Sequence, residues 1–188
     1  MVDLKYLGHS AFQITNGENA LLIDPFIEGN KKYDYKKQPI TDILLTHAHS
    51  DHLGQAIEIA KEKDIEITAV FELANYCKSQ GAKVKPIGLG SWINYSWGRA
   101  VFLPAFHSSS LPDGSYGGCA AGIFLDVNGS RIYHAGDTCL TGEMKTIKEA
   151  IEAGAKKVVA IKKDDTPSLP EIKQVIKDFS ELDYSIFD

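Results

Sequence analysis

The sequence has little cysteine, no long apolar segment and no excess of positive charge. Three cysteines in 188 residues are too few, and odd in number, for a disulfide framework. No apolar run approaches the roughly 20 residues that a spanning helix needs, so we expect no membrane span. The formal net charge of −5 provides no overall attraction to nucleic acid or anionic lipid, which argues against both as partners.

The length and composition are typical of one globular domain. With 188 residues, 44% of them hydrophobic and 24% charged, the chain can bury a sizeable core. The first residues lack the basic start and long apolar core of a secretory leader. We therefore expect a single domain over residues 1–188, with the cytoplasm as its location.

Apolar patterning predicts a mixed α/β fold. Short β-rich runs come first, then strands alternate with helices predicted over 55–63 and 72–80, and strands return after Gly88. The Asn16-Gly17 and Asn128-Gly129 pairs predict tight hairpin turns, because these residues tolerate positive φ. Near the end we expect a helix over 141–153, a strand over 157–161 and a helix from Pro170. The lysine-rich stretch over residues 31–37 is predicted to be solvated surface. Its lysines are Lys31, Lys32, Lys36 and Lys37.

Four potential metal ligands stand within six residues at the end of a predicted buried strand. They are His47, His49, Asp51 and His52. Imidazole is a common metal ligand, and carboxylates complete sites for borderline and hard divalent ions. Alternate residues such as His47 and His49 can point the same way in an extended segment. A turn and a following helix can bring Asp51 and His52 to a second position, so one loop could serve two adjacent ions.

Two further candidates follow predicted strands elsewhere in the chain. His107 comes after an apolar run over 101–106, and Asp137 follows the run that ends at His134. A lone histidine after a strand is more often structural, and an aspartate in a Gly-Asp-Thr turn is more often a turn residue. Because the cluster at residues 47–52 already indicates a metal site, we favour the ligand role over the structural one for both His107 and Asp137.

The motif His47-x-His49-x-Asp51-His52 resembles the signature of the metallo-β-lactamase superfamily. The sequence is similar in particular to small prokaryotic metal-dependent hydrolases related to the ascorbate-6-phosphate lactonase branch. The segments that carry the resemblance are YLGHSAF at 6–12, LIDPF at 22–26, LTHAHSDHLG at 45–54, FELAN at 71–75, PAFHSS at 104–109 and YHAGDT at 133–138. The resemblance implies an αββα sandwich with metals at one edge, between its two sheets.

The resemblance also implies a role for each site residue. His47, His49 and His107 would hold a first metal, Asp51 and His52 a second, and Asp137 would bridge them. Asp24 and His134 would orient ligands. His9 would lie near the pocket, where contact with substrate and simple packing are equal alternatives. Zinc is the first expectation, as one or two ions, with manganese and iron as alternatives.

The implied activity is hydrolysis of an ester, lactone or phosphodiester bond in a small-molecule substrate. A metal-activated water would attack, and Asp51 would orient it and accept its proton, which makes Asp51 the catalytic candidate. One alternative is a metal-binding member without activity. Another is a redox role, since diiron centres occur on this fold.

The resemblance ends before the C-terminus. Relatives carry a late histidine that completes the second metal site, whereas this chain has none after His134. We therefore expect a shortened second sheet, whose uncovered edge favours a homo-oligomer. We expect residues 163–188 to be a divergent extension.

Overall fold

The computed structural model describes residues 2–142, 144–145, 147 and 160–161. The first half of the chain forms a six-stranded sheet, sheet A, whose strands are adjacent in chain order. The first three strands pair antiparallel, and the rest of the sheet is parallel. Its strands are β1 (Val2–Gly8), β2 (Ala11–Asn16), β3 (Asn19–Ile23), β4 (Ile40–Leu44), β5 (Glu66–Val70) and β6 (Lys83–Ile87).

Short helices connect the parallel strands of sheet A. They are α1 (Ser50–Leu53), α2 (Ala56–Lys63) and α3 (Phe71–Ser79), and a 3-10 turn lies at Tyr35–Lys37. Helix α2 packs on β4 and β5, and α3 packs on β5 and β6. Helix α2 buries Ala56, Ile59 and Ala60, whose spacing places them on one face. Helices α2 and α3 therefore cover the parallel part of sheet A at β4, β5 and β6.

The second half of the chain forms sheet B, with five strands in the described residues. The order across it is β11, β10, β9, β8, β7. The Asn128-Gly129 turn joins β9 to β10 with both residues at positive φ (48° and 84°), which confirms the predicted tight hairpin. The strands are β7 (Trp92–Tyr95), β8 (Gly98–Pro104), β9 (Ala121–Val127), β10 (Ser130–His134) and β11 (Ala160–Ile161).

The two sheets share one hydrophobic core. Residues such as Leu22 and Leu44 from sheet A, and Phe102 and Leu125 from sheet B, belong to the same buried cluster. Polar bonds also join the sheets. The Trp97 indole donates to the Asp42 carboxylate over 2.9 Å, and the hydroxyls of Thr68 and Tyr95 lie 2.7 Å apart. The sandwich therefore closes through apolar burial reinforced by directional bonds.

The mixed α/β sandwich predicted from the sequence is confirmed. The structure adds two elements that the patterns did not predict, α1 and the 3-10 turn, both too short to show a helical period. The helix predicted over 141–153 and the strand over 157–161 fall largely outside the described residues, and the helix from Pro170 and the extension 163–188 fall wholly outside them. Within the described part of the chain, no helix is long and apolar enough to span a membrane.

Candidate metal centre

The loop after β4 positions the histidine cluster. The backbone amides of His52 and Leu53 both donate to the His49 carbonyl, so α1 begins directly after His49. This turn brings the His52 ring next to the His47 ring, with 4.0 Å between the ring centroids. Gly54 ends α1 at φ +44°, and a Cβ there would lie 2.4 Å from the Pro25 carbonyl oxygen. The close approach of two backbone segments thus requires glycine.

Three histidines form the first ligand group. His47, His49 and His107 each offer a nitrogen within 4.8 Å of the other two. His47 Nε2 lies 3.0 Å from His49 Nδ1, and the His107 ring lies 5.1 Å from both other rings. His107 comes from the segment between β8 and β9, so this group joins the two sheets.

Two further groups lie beside the first. His47, His52 and Asp137 form one, and His9, Asp51 and His52 form the other. Asp137 follows β10, with Oδ1 3.4 Å from His52 Nε2 and Oδ2 3.6 Å from His107 Nε2. All six predicted metal ligands therefore meet at one edge of the sandwich, and Asp137 lies between the groups.

Asp24 fixes the orientation of the histidine rings through buried hydrogen bonds. It is fully buried and accepts from the Thr46 amide (2.8 Å), the Thr46 hydroxyl (2.6 Å) and His52 Nδ1 (2.7 Å). Because the Thr46 hydroxyl donates its proton to Asp24, its oxygen accepts from His47 Nδ1 at 3.0 Å. Both Nδ1–H groups are thus engaged away from the centre, which leaves Nε2 of His47 and His52 facing it.

Burial and charge divide the histidines into two kinds. Burial lowers the pKa of His47 to about 3 and also lowers the pKa of His49, so both rings are neutral near pH 7. Burial opposes the charge on His52 too, but the carboxylates of Asp24 and Asp137 raise its pKa to about 10. Although burial opposes it, the same pairing with His52 holds the pKa of Asp24 below its usual value. Without a metal, His52 carries a proton between two carboxylates.

The residues present fit a divalent metal. Nε2 of His52 is buried and makes no hydrogen bond of ordinary geometry, although Asp137 Oδ1 lies 3.4 Å away. A buried polar atom without such a bond is costly, and a cation bound at His52 Nε2 would satisfy that nitrogen. A donor set of imidazole nitrogens and carboxylate oxygens suits zinc, manganese or iron.

His134 contacts backbone, and among the described residues it makes no hydrogen bond to a predicted ligand side chain. Its Nε2 donates to the Ser10 carbonyl at 2.9 Å, and its Nδ1 accepts from the Gly136 amide at 3.1 Å. Gly136 lies at φ +61°, where a Cβ would be 2.8 Å from the Ala121 carbonyl oxygen. His134 thus shapes the turn that presents Asp137.

His9 lies next to Asp51, with 3.1 Å between Nε2 and Oδ2. Its backbone adopts φ +53°, unusual for a residue with a side chain, and its ring packs edge-on against His52 and Phe26. The structure therefore places His9 at the wall of the centre.

Sequence reasoning missed three hydroxyl residues that fix the loops. Besides Thr46, Ser109 accepts from the Ala48 amide at 3.2 Å, and Thr138 accepts from the Phe106 amide at 3.0 Å. These bonds link the cluster loop to the 105–120 segment, and that segment to the Asp137 turn. All three lie in segments that carry the family resemblance, but single threonines and serines have no spacing pattern that would assign them this role.

Comparison with known proteins agrees with this fold and site. The family model of the metallo-beta-lactamase superfamily matches residues 5–166. Among solved structures, the metallo hydrolase Igni18 from Ignicoccus hospitalis superposes with a TM-score of 0.77 over 100% of this chain and 95% of its own, at 24% identity. At that identity the likeness supports the fold alone. The chain belongs to the metallo-beta-lactamase superfamily.

Closer relatives narrow this assignment. A UPF0173 metal-dependent hydrolase of Thermus thermophilus is 42% identical over 151 residues, which cover 79% of this chain and 67% of the relative. Another, from Lysinibacillus sphaericus, is 44% identical over 154 residues, or 79% of this chain and 68% of the relative. Within the superfamily, the chain is a member of the UPF0173 metal-dependent hydrolases. The alignments span about two thirds of these relatives' length.

Proposed function

We propose that this protein hydrolyses an ester, lactone or phosphodiester bond of a small substrate at a centre of two divalent metal ions, zinc in the first instance. The observation that carries the proposal is the convergence of three overlapping ligand groups on one edge of the sandwich. The ligands are His47, His49, Asp51, His52, His107 and Asp137.

In such a centre the metal ions and the residues around them have different roles. Bound divalent ions supply a hydroxide nucleophile at neutral pH and positive charge for the developing oxyanion. Thr46 and Asp24 hold the rings of His47 and His52 so that Nε2 of each faces the centre. Ring orientation is thus set before substrate arrives, which spares reorganisation during the reaction.

Asp51 is the proposed catalytic carboxylate. Its side chain is about one-third exposed (35%), in contrast to His52 at 0%, so it can face both the centre and entering substrate. It orients the nucleophilic water and accepts its proton. His9, 3.1 Å away, restrains the Asp51 carboxylate.

The first test is elemental analysis of the untagged chain, followed by hydrolysis assays with added zinc, manganese or iron. Suitable probes are p-nitrophenyl acetate, a γ-lactone and bis-p-nitrophenyl phosphate. We expect about two metals per chain and turnover of at least one probe. Metal binding without turnover of any probe would assign a non-catalytic metal-binding domain, and no metal at all would overturn the proposal.

Asp51→Asn tests the catalytic role. Removing a general base costs about 10²–10⁴-fold in rate, while the metal content should fall by at most one ion. Asp64→Asn is the matched control. Asp64 is exposed, lies at the C-terminal end of α2 and pairs with Lys83. Full turnover in Asp51→Asn with both ions bound would exclude the role.

A further inference from the structure

A cavity of about 500 Å³ lies directly beside the candidate metal centre. One wall is the turn at residues 7–9, and the other consists of Phe26 and residues 29–32. His9 belongs to the cavity wall and also lies 3.1 Å from Asp51. The cavity therefore reaches the centre through His9.

Two lysines line this cavity, and they differ from the other lysines of the same loop. Lys36 pairs with Glu62 at 3.3 Å, and Lys37 pairs with Asp34 at 3.2 Å. Across the described residues, neither Lys31 nor Lys32 has a carboxylate partner within salt-bridge distance. Both lysines are exposed, and each adds positive charge to the cavity without a salt-bridge partner among the described residues.

The loop that carries these lysines is held in place on both sides. The Asn30 side-chain amide donates to the Leu7 carbonyl at 2.7 Å, and its oxygen accepts from the Lys32 amide at 3.1 Å. The Ile27 amide donates to the Gln55 side chain at 2.8 Å, which ties the base of the loop to the start of α2. Asn30 therefore holds the backbone of this loop against the turn at residues 7–9.

The opposite wall carries backbone strain. Gly8 (φ +114°) and His9 (φ +53°) are both in the left-handed half of backbone space, and only the first is glycine. A non-glycine residue held there costs free energy, and such strain concentrates at ligand sites. This conformation places the His9 ring between the cavity and Asp51.

We propose that this cavity binds an anionic group of the substrate, a carboxylate or a phosphate, through Lys31 and Lys32. The scissile bond then lies past His9, at the metal centre. The substrate class is accordingly an ester, lactone or phosphodiester that bears a second, negatively charged group. This inference rests on the proposed function for the reaction, but the binding of an anion can be measured without turnover.

The binding test follows backbone amide shifts of the full chain, with and without added zinc, by NMR. The probes are monomethyl succinate for a carboxylate, methyl phosphate for a phosphate and dimethyl succinate as the neutral analogue. We expect at least one anion to shift the amides of residues 29–32, and the neutral analogue to leave them unmoved. The anion that binds more tightly identifies the charged group.

Matched double variants isolate the two lysines. Lys31→Gln with Lys32→Gln should weaken anion binding about tenfold, from the loss of two partly screened charges. Lys36→Gln with Lys37→Gln removes the same charge from the same loop and should retain the wild-type dissociation constant. Equal weakening in both variants, or anion shifts confined to the metal ligands, would overturn the proposal.

A kinetic test separates this proposal from the hydrolase assignment. Mono-p-nitrophenyl succinate and p-nitrophenyl acetate carry the same leaving group, and only the first bears a carboxylate. The preference for the charged ester in kcat/KM should fall about tenfold in the Lys31/Lys32 variant and persist in the Lys36/Lys37 variant. Hydrolysis with the same preference in all three proteins overturns the anion site alone, whereas anion binding without any hydrolysis overturns the hydrolase assignment alone.

Discussion

The two sheets contribute to the candidate centre in different ways. Sheet A supplies a continuous loop in which the His47 and His52 rings are both 0% exposed and His49 is partly exposed. Asp24 and Thr46 set the orientation of the two buried rings. Sheet B supplies His107 and Asp137, whose side chains are 35% and 14% exposed. They stand on separate connections, after β8 and after β10.

One half of the centre is thus local in sequence, whereas the other half depends on how the two sheets pack. The Ala121 amide donates to the Thr46 carbonyl at 2.9 Å, so β9 is fastened to the cluster loop itself. Thr138 binds the Phe106 amide, which ties the Asp137 turn to the residue before His107. Substituting a candidate ligand from sheet A should therefore abolish metal binding at the whole centre. Substituting one from sheet B should weaken metal binding at one part of it.

The largest expected effect comes from comparing His47→Ala with His107→Ala. His47 belongs to two of the three ligand groups, whereas His107 belongs to one. We expect His47→Ala to lose nearly all bound metal and His107→Ala to lose about one ion per chain, as measured by elemental analysis. If the two variants retain equal metal, the two halves of the centre are equivalent and the comparison is wrong.

A smaller effect should follow from Gly136→Ala on the sheet B side. The added Cβ would meet the Ala121 carbonyl oxygen at 2.8 Å in a backbone at φ +61°. We expect a loss of about 1–3 kcal/mol in the free energy of unfolding, measured with urea.

Gly142→Ala is the control for that measurement, because a Cβ at Gly142 meets nothing within 4 Å. We expect this change to leave the unfolding free energy within about 0.5 kcal/mol of wild type. A wild-type midpoint for Gly136→Ala would show that the turn before Asp137 relaxes freely.

A further expected effect is on proton release, and it tests whether Asp24 controls the protonation of His52. Because the metal-free pKa of His52 is raised to about 10, metal binding at pH 8 must displace a proton, and metal affinity should rise with pH up to that value. In the metal-free protein, the stability from this proton is complete below the unfolded pKa of about 6.5 and is lost as pH rises through about 10.

Asp24→Asn removes the larger charge that raises the His52 pKa. We expect the release of about one proton per chain at pH 8 to fall, and zinc affinity to weaken about 10–100-fold, as for lost partners of metal ligands. Isothermal titration calorimetry in buffers of different ionisation enthalpy measures both. Unchanged proton release would show that Asp24 does not control His52.

Much of the fold could be predicted because its signals are local. The alternation of strands with helices over the first half of the chain and the hairpin at Asn128-Gly129 are both observed, since short apolar runs between turn residues mark them in the sequence. The dense cluster at residues 47–52 likewise indicated a metal site without any knowledge of the fold. Helix α1 was not predicted, because four residues are too few to show a period.

In the lysine-rich loop, the sequence pattern could not predict which lysines line the cavity. All four of its lysines were predicted to be solvated surface, and the residue types give no reason to separate them. The structure separates them by their neighbours: Lys36 and Lys37 face carboxylates, whereas Lys31 and Lys32 line a cavity beside the centre.

Apolar alternation and ligand spacing act over a few neighbouring residues, so the amino-acid pattern alone predicts the mixed fold and the four candidate ligands at residues 47–52. Tertiary packing places Asp24 under His52, 28 positions away, and Asp137 between His52 and His107. No local pattern indicates either contact, and only the family resemblance implied these roles. These contacts arise from the packing of two sheets, and packing depends on shape and burial across the whole chain rather than on any short pattern.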